Sequence, residues 1–310
     1  MAELSLRQLE YLVAIAEAGS VTAAAAKLHL SQSAVSTALA DLERALGAQL
    51  FLRHPRGITL TKVGQRVLFG SRRLLSGVDD LYFEAKSETQ TLTGRLSVGC
   101  FSTLSPTVLP GIIDEFTTRH PEVQLELTEG PHTEMEGLLR SGVIDLAILY
   151  EYSFHEVERG TDFVRRTIRV STPYVLLPVD HALARRKRLK VEQLVDEQLI
   201  LFDLPPGGQY FLSLFEQLDL MPNILLRSES FELVRSLVAR GLGYSLLSQQ
   251  TQISTSYEGR ELAEVPLDGA PRGLNVNVVA LRGLQLSRRA RAFLACCSAA
   301  HPDPVNPPGP

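Results

Sequence analysis

The sequence predicts an α/β chain built from two unlike parts. An all-helical N-terminal unit, closed by a small hairpin, leads through one long helix into a larger stretch where strands and helices alternate. Three observations carry this. Apolar residues recur at three and four residues over the first fifty positions, a seven-residue repeat runs through residues 62–91, and short apolar strands alternate with helical segments from Thr93-Gly94 onward. A length of 310 residues allows two or three compact units. With 45% hydrophobic and 21% charged residues the composition is that of a globular chain, and no apolar run approaches the roughly eighteen residues of a membrane span. Glu3, Arg7 and Glu10 stand where an export signal would be apolar, so a cytoplasmic protein without membrane contact is expected.

Leu6, Leu9, Leu12, Val13 and Ala16 define one apolar helix face, which ends near Gly19. Ser20 can cap a second, short helix that runs to Leu28, where Ala23, Ala24 and Ala25 permit close packing. Ser31 caps a third helix with Val35, Leu39, Leu42 and Leu46 on its buried side, and Gly47 closes it. Short helix, tight turn, longer helix is the order of a helix-turn-helix, whose last helix reads the major groove with its N-terminal residues. Those positions hold Ser31, Gln32, Ser33, Ser36 and Thr37; a Gln pairs in two-point fashion with adenine, and Ser or Thr with several bases. Helical hairpins also fill ordinary cores, so geometry alone is weak support.

Leu50 to Leu60 places two short apolar stretches around Pro55-Arg56-Gly57, a hairpin or wing, with Arg53 and Arg56 at its tip to reach phosphate or the minor groove. The alternative is a charged, solvated turn. Charge raises the odds of nucleic acid. Net charge is −4 overall, yet eight basic residues between Lys27 and Arg73 face only Asp41 and Glu43. From Lys62 the long helix carries Val67, Leu74 and Leu81 at seven-residue spacing, with Leu68, Leu75 and Tyr82 as a second series. This pattern packs along a partner, most simply a second copy.

The runs Leu9-Glu10-Tyr11-Leu12, Ala23 to Leu28, Ser31 to Ser36, Leu42-Glu43, Leu46-Gly47, Leu50 to Arg53 and Leu60 to Gly64 closely resemble the DNA-binding domain of LysR-type transcriptional regulators over some sixty residues. Ser33 stands where that family usually has Pro, and Thr37 where it often has Arg, so the operator preference need not be the usual one. The resemblance implies a bacterial regulator of promoter DNA that dimerises through the long helix. It also implies further pairing of sensor domains into a homotetramer, with RNA polymerase as a further candidate partner.

Beyond Gly94 the expected elements are strands at 95–100, 123–127, 145–149, 174–177, 199–202, around 224, 244–247 and 276–281. A loop at 102–106 opens a helix that continues through Leu109 to Phe116, further helices are expected at 133–140, 191–194, 210–218, 231–239 and 288–299, and the alternation implies parallel sheets. Gly94-Arg95-Leu96, Leu109-Pro110, His120-Pro121, Glu129-Gly130, Gly142 to Ala147 and Leu237 to Gly243 resemble the effector domain of the same family. That resemblance implies two α/β lobes, like a periplasmic binding protein, with a small-molecule effector between them. The expected organisation is 1–61 winged helix-turn-helix, 62–92 dimerising linker and 93–300 effector domain. Its first lobe takes 94–172 and 274–300, its second 173–273, and 301–310 is a proline-rich disordered tail.

In such sheets ligands bind beyond the carboxyl ends of strands, at helix N-termini, where free amides favour an anion. The loops so placed supply Ser102, Thr103, His132, Phe202, Asp203, Ser230 and Phe231 as candidate effector contacts. By the resemblance, Thr103 and His132 fall where family members often place polar ligand contacts. Each has a plainer alternative: Ser102 or Thr103 as a helix cap, His132 as a surface residue, Asp203 as a cap of the turn at 204–208. Cys100, Cys296 and Cys297 show neither metal spacing nor a disulfide framework, and no cofactor or metal is expected. No cysteine lies between Cys100 and Cys296, so a peroxide-sensing pair in the second lobe has no residues to use. The chain has no GxSxG, Walker A, HExxH or CxxC motif, which argues against an enzyme. A solute receptor would leave the first ninety residues unexplained, and an architectural DNA protein would need no sensor.

Overall fold

A computed structural model describes residues 4–54, 57–85, 91–152, 162–249, 251–268 and 273–300. The first helix, α1 (Leu6–Ala18), starts at Ser5. The Ser5 hydroxyl accepts the Gln8 N–H at 3.3 Å, and the Gln8 side chain accepts the Ser5 N–H at 3.0 Å. Ser20 caps α2 (Val21–Lys27) and Ser31 caps α3 (Gln32–Leu46), as their short polar side chains dictate. The three helices bury Leu12, Ile15, Val35 and Leu42 against Leu50 and Leu68. Strands β1 (Phe51–His54) and β2 (Gly57–Leu60) pair antiparallel, with Phe51 opposite Leu60.

The hairpin is pinned at both ends. The Glu43 carboxylate accepts the N–H groups of Leu50 and Phe51 at 2.7 and 3.3 Å, and the Ile58 N–H donates to Gly19 O at 3.1 Å. Thr61 accepts the Gly64 N–H at 2.9 Å and so starts α4 (Lys62–Ala85). Gly64 lies directly beneath Leu50 O, where a Cβ would sit 2.0 Å away. The heptad predicts a linker helix reaching Thr91. Residues 91–93 are not helical, and 86–90, like the tail 301–310, lie outside the described residues. The 24 residues of α4 span about 36 Å.

The heptad pattern divides between two jobs. Leu68 is buried in the N-terminal core and Val67 and Leu75 pack against it, whereas Leu74, Leu81 and Tyr82 are exposed.

The larger unit holds two sheets. The first orders β4 (Val123–Gly130), β3 (Gly94–Phe101), β5 (Leu146–Glu151), β12 (Leu274–Leu281) and β6 (Phe163–Ser171). Helices α5 (Ser105–Arg119), α6 (His132–Arg140) and α9 (Arg288–Ala300) cover it. In the second, β7 (Tyr174–Pro178) lies between β10 (Ser245–Leu247) and β11 (Leu262–Pro266). A parallel bridge between Leu199 and Tyr244 joins β10 to the pair β8 (Gln198–Phe202) and β9 (Asn223–Ser228). Helices α7 (Gly207–Glu216) and α8 (Phe231–Ala239) complete this lobe, giving it the same strand order as the first.

Three expectations are corrected here. Each sheet is mixed rather than parallel, because β12 and β7 enter from the other lobe and run antiparallel to both neighbours. Residues 191–194 form a 3₁₀ turn, too short to continue as a helix. Strands β6 and β11 add to the expected set: both are edges, and the arginines of β6 blunt its apolar signal.

Substituting Gly64 with Ala forces a methyl group against the Leu50 carbonyl. We expect this to lower stability by about 1–3 kcal/mol, read as a lower denaturant midpoint of the N-terminal unit.

Candidate functional site

Two regions of the fold can hold a ligand. The first is the N-terminal end of α3. Gln32, Ser33 and Thr37 are exposed there and Ser36 is half-buried, while Val35 and Leu39 turn inward. Ser31 spends its hydroxyl on the Ala34 N–H at 3.2 Å and lies 3.0 Å from the Ser33 hydroxyl, so it shapes the tip as a cap. Arg53 extends from the exposed side of β1; Arg56 lies outside the described residues.

The basic patch is smaller in space than along the chain. Lys27 and Arg72 both pair with Glu17, at 2.9 and 3.5 Å, and Arg44 pairs with Asp41 at 2.6 Å. Glu17 falls outside the window in which sequence counting found two acids, and proximity in the fold brings it back. It also meets Arg95 of β3 at 3.7 Å, so one carboxylate touches α2, α4 and the first lobe. Burial opposes its ionisation, but the Lys27 hydrogen bond and the three neighbouring cations outweigh that and hold its pKa below the ordinary range.

The second region is a cavity between the lobes. Thr103, Phe202 and Phe231, expected as effector contacts, line it together. Sequence reasoning missed Phe101, Tyr150, Tyr152, Phe211, Ser248 and Gln249, which line it as well. For all but Phe211, which lies within α7, the only sequence signal is position, at or just past the ends of β3, β5 and β10.

Aromatic rings form a continuous chain of edge-on and tilted contacts: Phe101 to Tyr150 at 6.0 Å, Tyr150 to Tyr152 at 5.8 Å and Tyr152 to Tyr210 at 5.7 Å between centroids. Burial raises the pKa of the Tyr150 and Tyr152 hydroxyls and pushes Tyr210 up to about 12, so these groups stay neutral. The lobes are closed enough to leave about 10 Å³, the room of a single water. His132 faces a neighbouring chamber of about 270 Å³, with Glu151, Arg165 and Gln209. One of its ring nitrogens lies 3.1 Å from Tyr150 O.

Ser102, Asp203 and Ser230 do not line the cavity. Ser102 is exposed; Asp203 pairs with Arg227 at 3.0 Å; Ser230 caps α8 through the Leu233 N–H. Burial pushes the Cys100 thiol up to about 12, which keeps it from the thiolate form that reacts with oxidants. Among the described residues no group of His, Cys, Asp and Glu is arranged to hold a metal ion. None of their helices is by itself long and apolar enough to cross a membrane.

A winged helix-turn-helix joined by a helix to a two-lobed α/β unit defines a class of ligand-responsive DNA-binding regulators. The matches to known proteins fall in that class. Residues 6–65 match the bacterial regulatory helix-turn-helix of the lysR family, and residues 89–302 match the LysR substrate binding domain. Transcriptional dual regulator GltC of Bacillus subtilis is 27% identical over 293 residues, covering 94% of this chain and 95% of its own. The HTH-type regulator YybE of the same organism is 32% identical, covering 77% and 81%. Among solved structures, HinK of Pseudomonas aeruginosa, a LysR family transcriptional regulator, superposes with a TM-score of 0.62 at 34% identity, covering 96% and 98%. A full-length cysteine-to-aspartate variant of OxyR from the same species shares the fold at a TM-score of 0.77 and 24% identity, covering 98% and 96%. The chain belongs to the LysR family of transcriptional regulators, with a DNA-binding helix-turn-helix and an effector-binding domain.

Because Asp203 and Arg227 form a half-exposed pair away from the cavity, Asp203→Asn is expected to cost no more than about 1 kcal/mol after solvent screening. Thermal unfolding checks this.

Proposed function

We propose that the chain binds a roughly palindromic promoter site as a homodimer and, by further pairing, as a homotetramer, and that an effector in the interlobe cavity changes the spacing of its DNA contacts. The observation that carries this reading is the convergence of Thr103, Phe202 and Phe231, from both lobes, on one cavity in a chain that also presents an open α3 tip. It acts by binding and carries out no chemistry of its own, in the cytoplasm where its DNA lies, and RNA polymerase is its partner at the promoter.

Each protein group has a distinct task. Gln32, Ser33, Ser36 and Thr37 meet base edges; Arg53 and Arg56 meet the sugar-phosphate backbone; Ser31 holds the tip of α3. The exposed Leu74, Leu81 and Tyr82 are the surface where a second α4 packs, and burying them offsets the cost of ordering the pair. Beside them a groove of about 620 Å³ separates α4 from the first lobe, wide enough for side chains of a partner helix. Of the remaining expected contacts, His132 faces the neighbouring chamber, and Ser102, Asp203 and Ser230 stand behind the cavity wall. Rotation of one lobe on the other repositions β3, whose Arg95 touches Glu17 of the DNA-binding unit.

The test is a fluorescence anisotropy titration on labelled duplexes, one from the DNA upstream of the gene and one random. Gln32→Ala should cost about 1–3 kcal/mol on the specific duplex and little on the random one. Arg53→Ala should weaken both alike and reduce the salt slope by about 1. Equal loss on both duplexes for Gln32→Ala would remove its base-reading role.

A further inference from the structure

The interlobe cavity has a chemical character that the helix-terminus argument alone would not predict. None of the described residues lining it carries a formal charge. Charges begin only in the neighbouring chamber, at Glu136, Glu151 and Arg165. Of the acids adjacent in sequence to lining residues, Asp203 pairs with Arg227 at 3.0 Å, Glu232 with Arg235 at 3.0 Å, and Glu151 faces the neighbouring chamber.

The amides that would receive an anion are thinned out at the helix starts that border the cavity. At α5, Pro106 has no N–H and the Thr107 N–H donates to Leu104 O at 3.1 Å. At α7, Pro205 and Pro206 have none, and the Gly207 N–H donates to Leu204 O at 2.8 Å. At α8, Ser230 caps with its own side chain and Glu232 already occupies the first turn. A carboxylate placed here would lose its hydration without gaining a cation, which disfavours it strongly.

What the cavity does offer is aromatic surface and one open acceptor. Gln249 is only 7% exposed, and its side-chain Oε1 has no hydrogen-bond partner. A buried acceptor left unpaired is unfavourable, and a ligand donor would relieve it. Thr103 and Ser248, 8% and 7% exposed, lie on the same cavity as hydroxyl partners. The rings of Phe101, Tyr150, Tyr152 and Phe211 give the cavity an aromatic lining, against which a ring guest packs by face or edge.

We infer that the effector is an uncharged, planar ring compound with an N–H or O–H donor that meets Gln249 Oε1, and not a carboxylate. This rests on the reading of the cavity as the effector site and adds the ligand's class. Because only a water's room is present, the lobes part to admit the ring and then close on it.

The chain contains no tryptophan, so indole emission in a mixture belongs to the probe alone. The experiment titrates full-length protein into indole-3-acetamide, indole-3-acetate and tryptamine, reading anisotropy and emission shift. The three probes share a ring and differ in end-group charge. Indole-3-acetamide is expected to bind at least tenfold tighter than indole-3-acetate. Gln249→Glu should reverse the selection toward tryptamine, an exchange that a purely structural role for Gln249 would not produce. Gln249→Leu, keeping the fold without the acceptor, should erase the amide's advantage.

If indole-3-acetate binds tightest and Gln249→Glu weakens it, the proposed class is overturned while the cavity remains the site. If all three bind alike and no Gln249 variant alters them, the cavity is not the site and both readings fail. Absence of binding by all three probes overturns the proposed class.

Discussion

The structure depends on two crossings of the chain between its lobes. After β6 the chain leaves the first sheet to become the central strand β7 of the second, and after β11 it returns as β12. Each crossing strand is held on both sides: β7 by β10 and β11, β12 by β5 and β6. Neither lobe can leave without breaking a sheet, so the available motion is rotation about the crossings. The cavity lies at that seam. The Ser171 hydroxyl, at the end of β6, donates to Ser248 O beside the cavity wall, and the chain of ring contacts Phe101–Tyr150–Tyr152–Tyr210 spans from one lobe to the other. A ligand that enters must rearrange these contacts, and a switch requires that it bind one lobe orientation better than another.

The connection to DNA runs through few groups. Glu17 sits at the end of α1 and contacts cations from α2, α4 and β3. Arg95, the β3 member, also pairs with Glu126 of β4 at 2.9 Å, so the link continues into the first sheet. Arg289 of α9 donates to Thr93 O at 3.2 Å and to the Ser76 hydroxyl of α4 at 3.1 Å, a second tie between linker and lobe. These polar ties hold at close range yet are weaker than a packed core, as suits an interface whose geometry must change. Arg53 takes no part in these ties.

The N-terminal unit was legible because its signals are local. Ser20 and Ser31 announce helix starts, and Gly19 and Gly47 announce stops; the Ser5 cap of α1 is equally local. What was less legible depends on contacts between distant residues. The antiparallel course of β7 and β12 follows from lobe exchange, which no periodicity encodes. The edge strand β6 hides its alternation under Arg165, Arg166 and Arg169. Of the expected effector contacts, Thr103, Phe202 and Phe231 reach the cavity, because strand ends and helix starts are positions that sequence can locate. Tyr150, Tyr152 and Gln249 escaped notice because a residue just past a strand reads as core or loop until the opposite lobe is in place. Glu17 escaped for the same reason: its cations are ten, fifty-five and seventy-eight residues away.

The central claim is that the interlobe cavity governs how the protein sits on DNA, and it can be tested before any effector is known. Thr103 is buried in a cavity with room for one water, so Thr103→Trp should wedge the lobes apart as a bound ring would. The measurement is a DNase I footprint on the DNA upstream of the gene, comparing wild type with this variant after circular dichroism shows both folded. The account predicts a footprint of altered length or spacing with the recognition half-sites still protected. An unchanged footprint at unchanged affinity would contradict it.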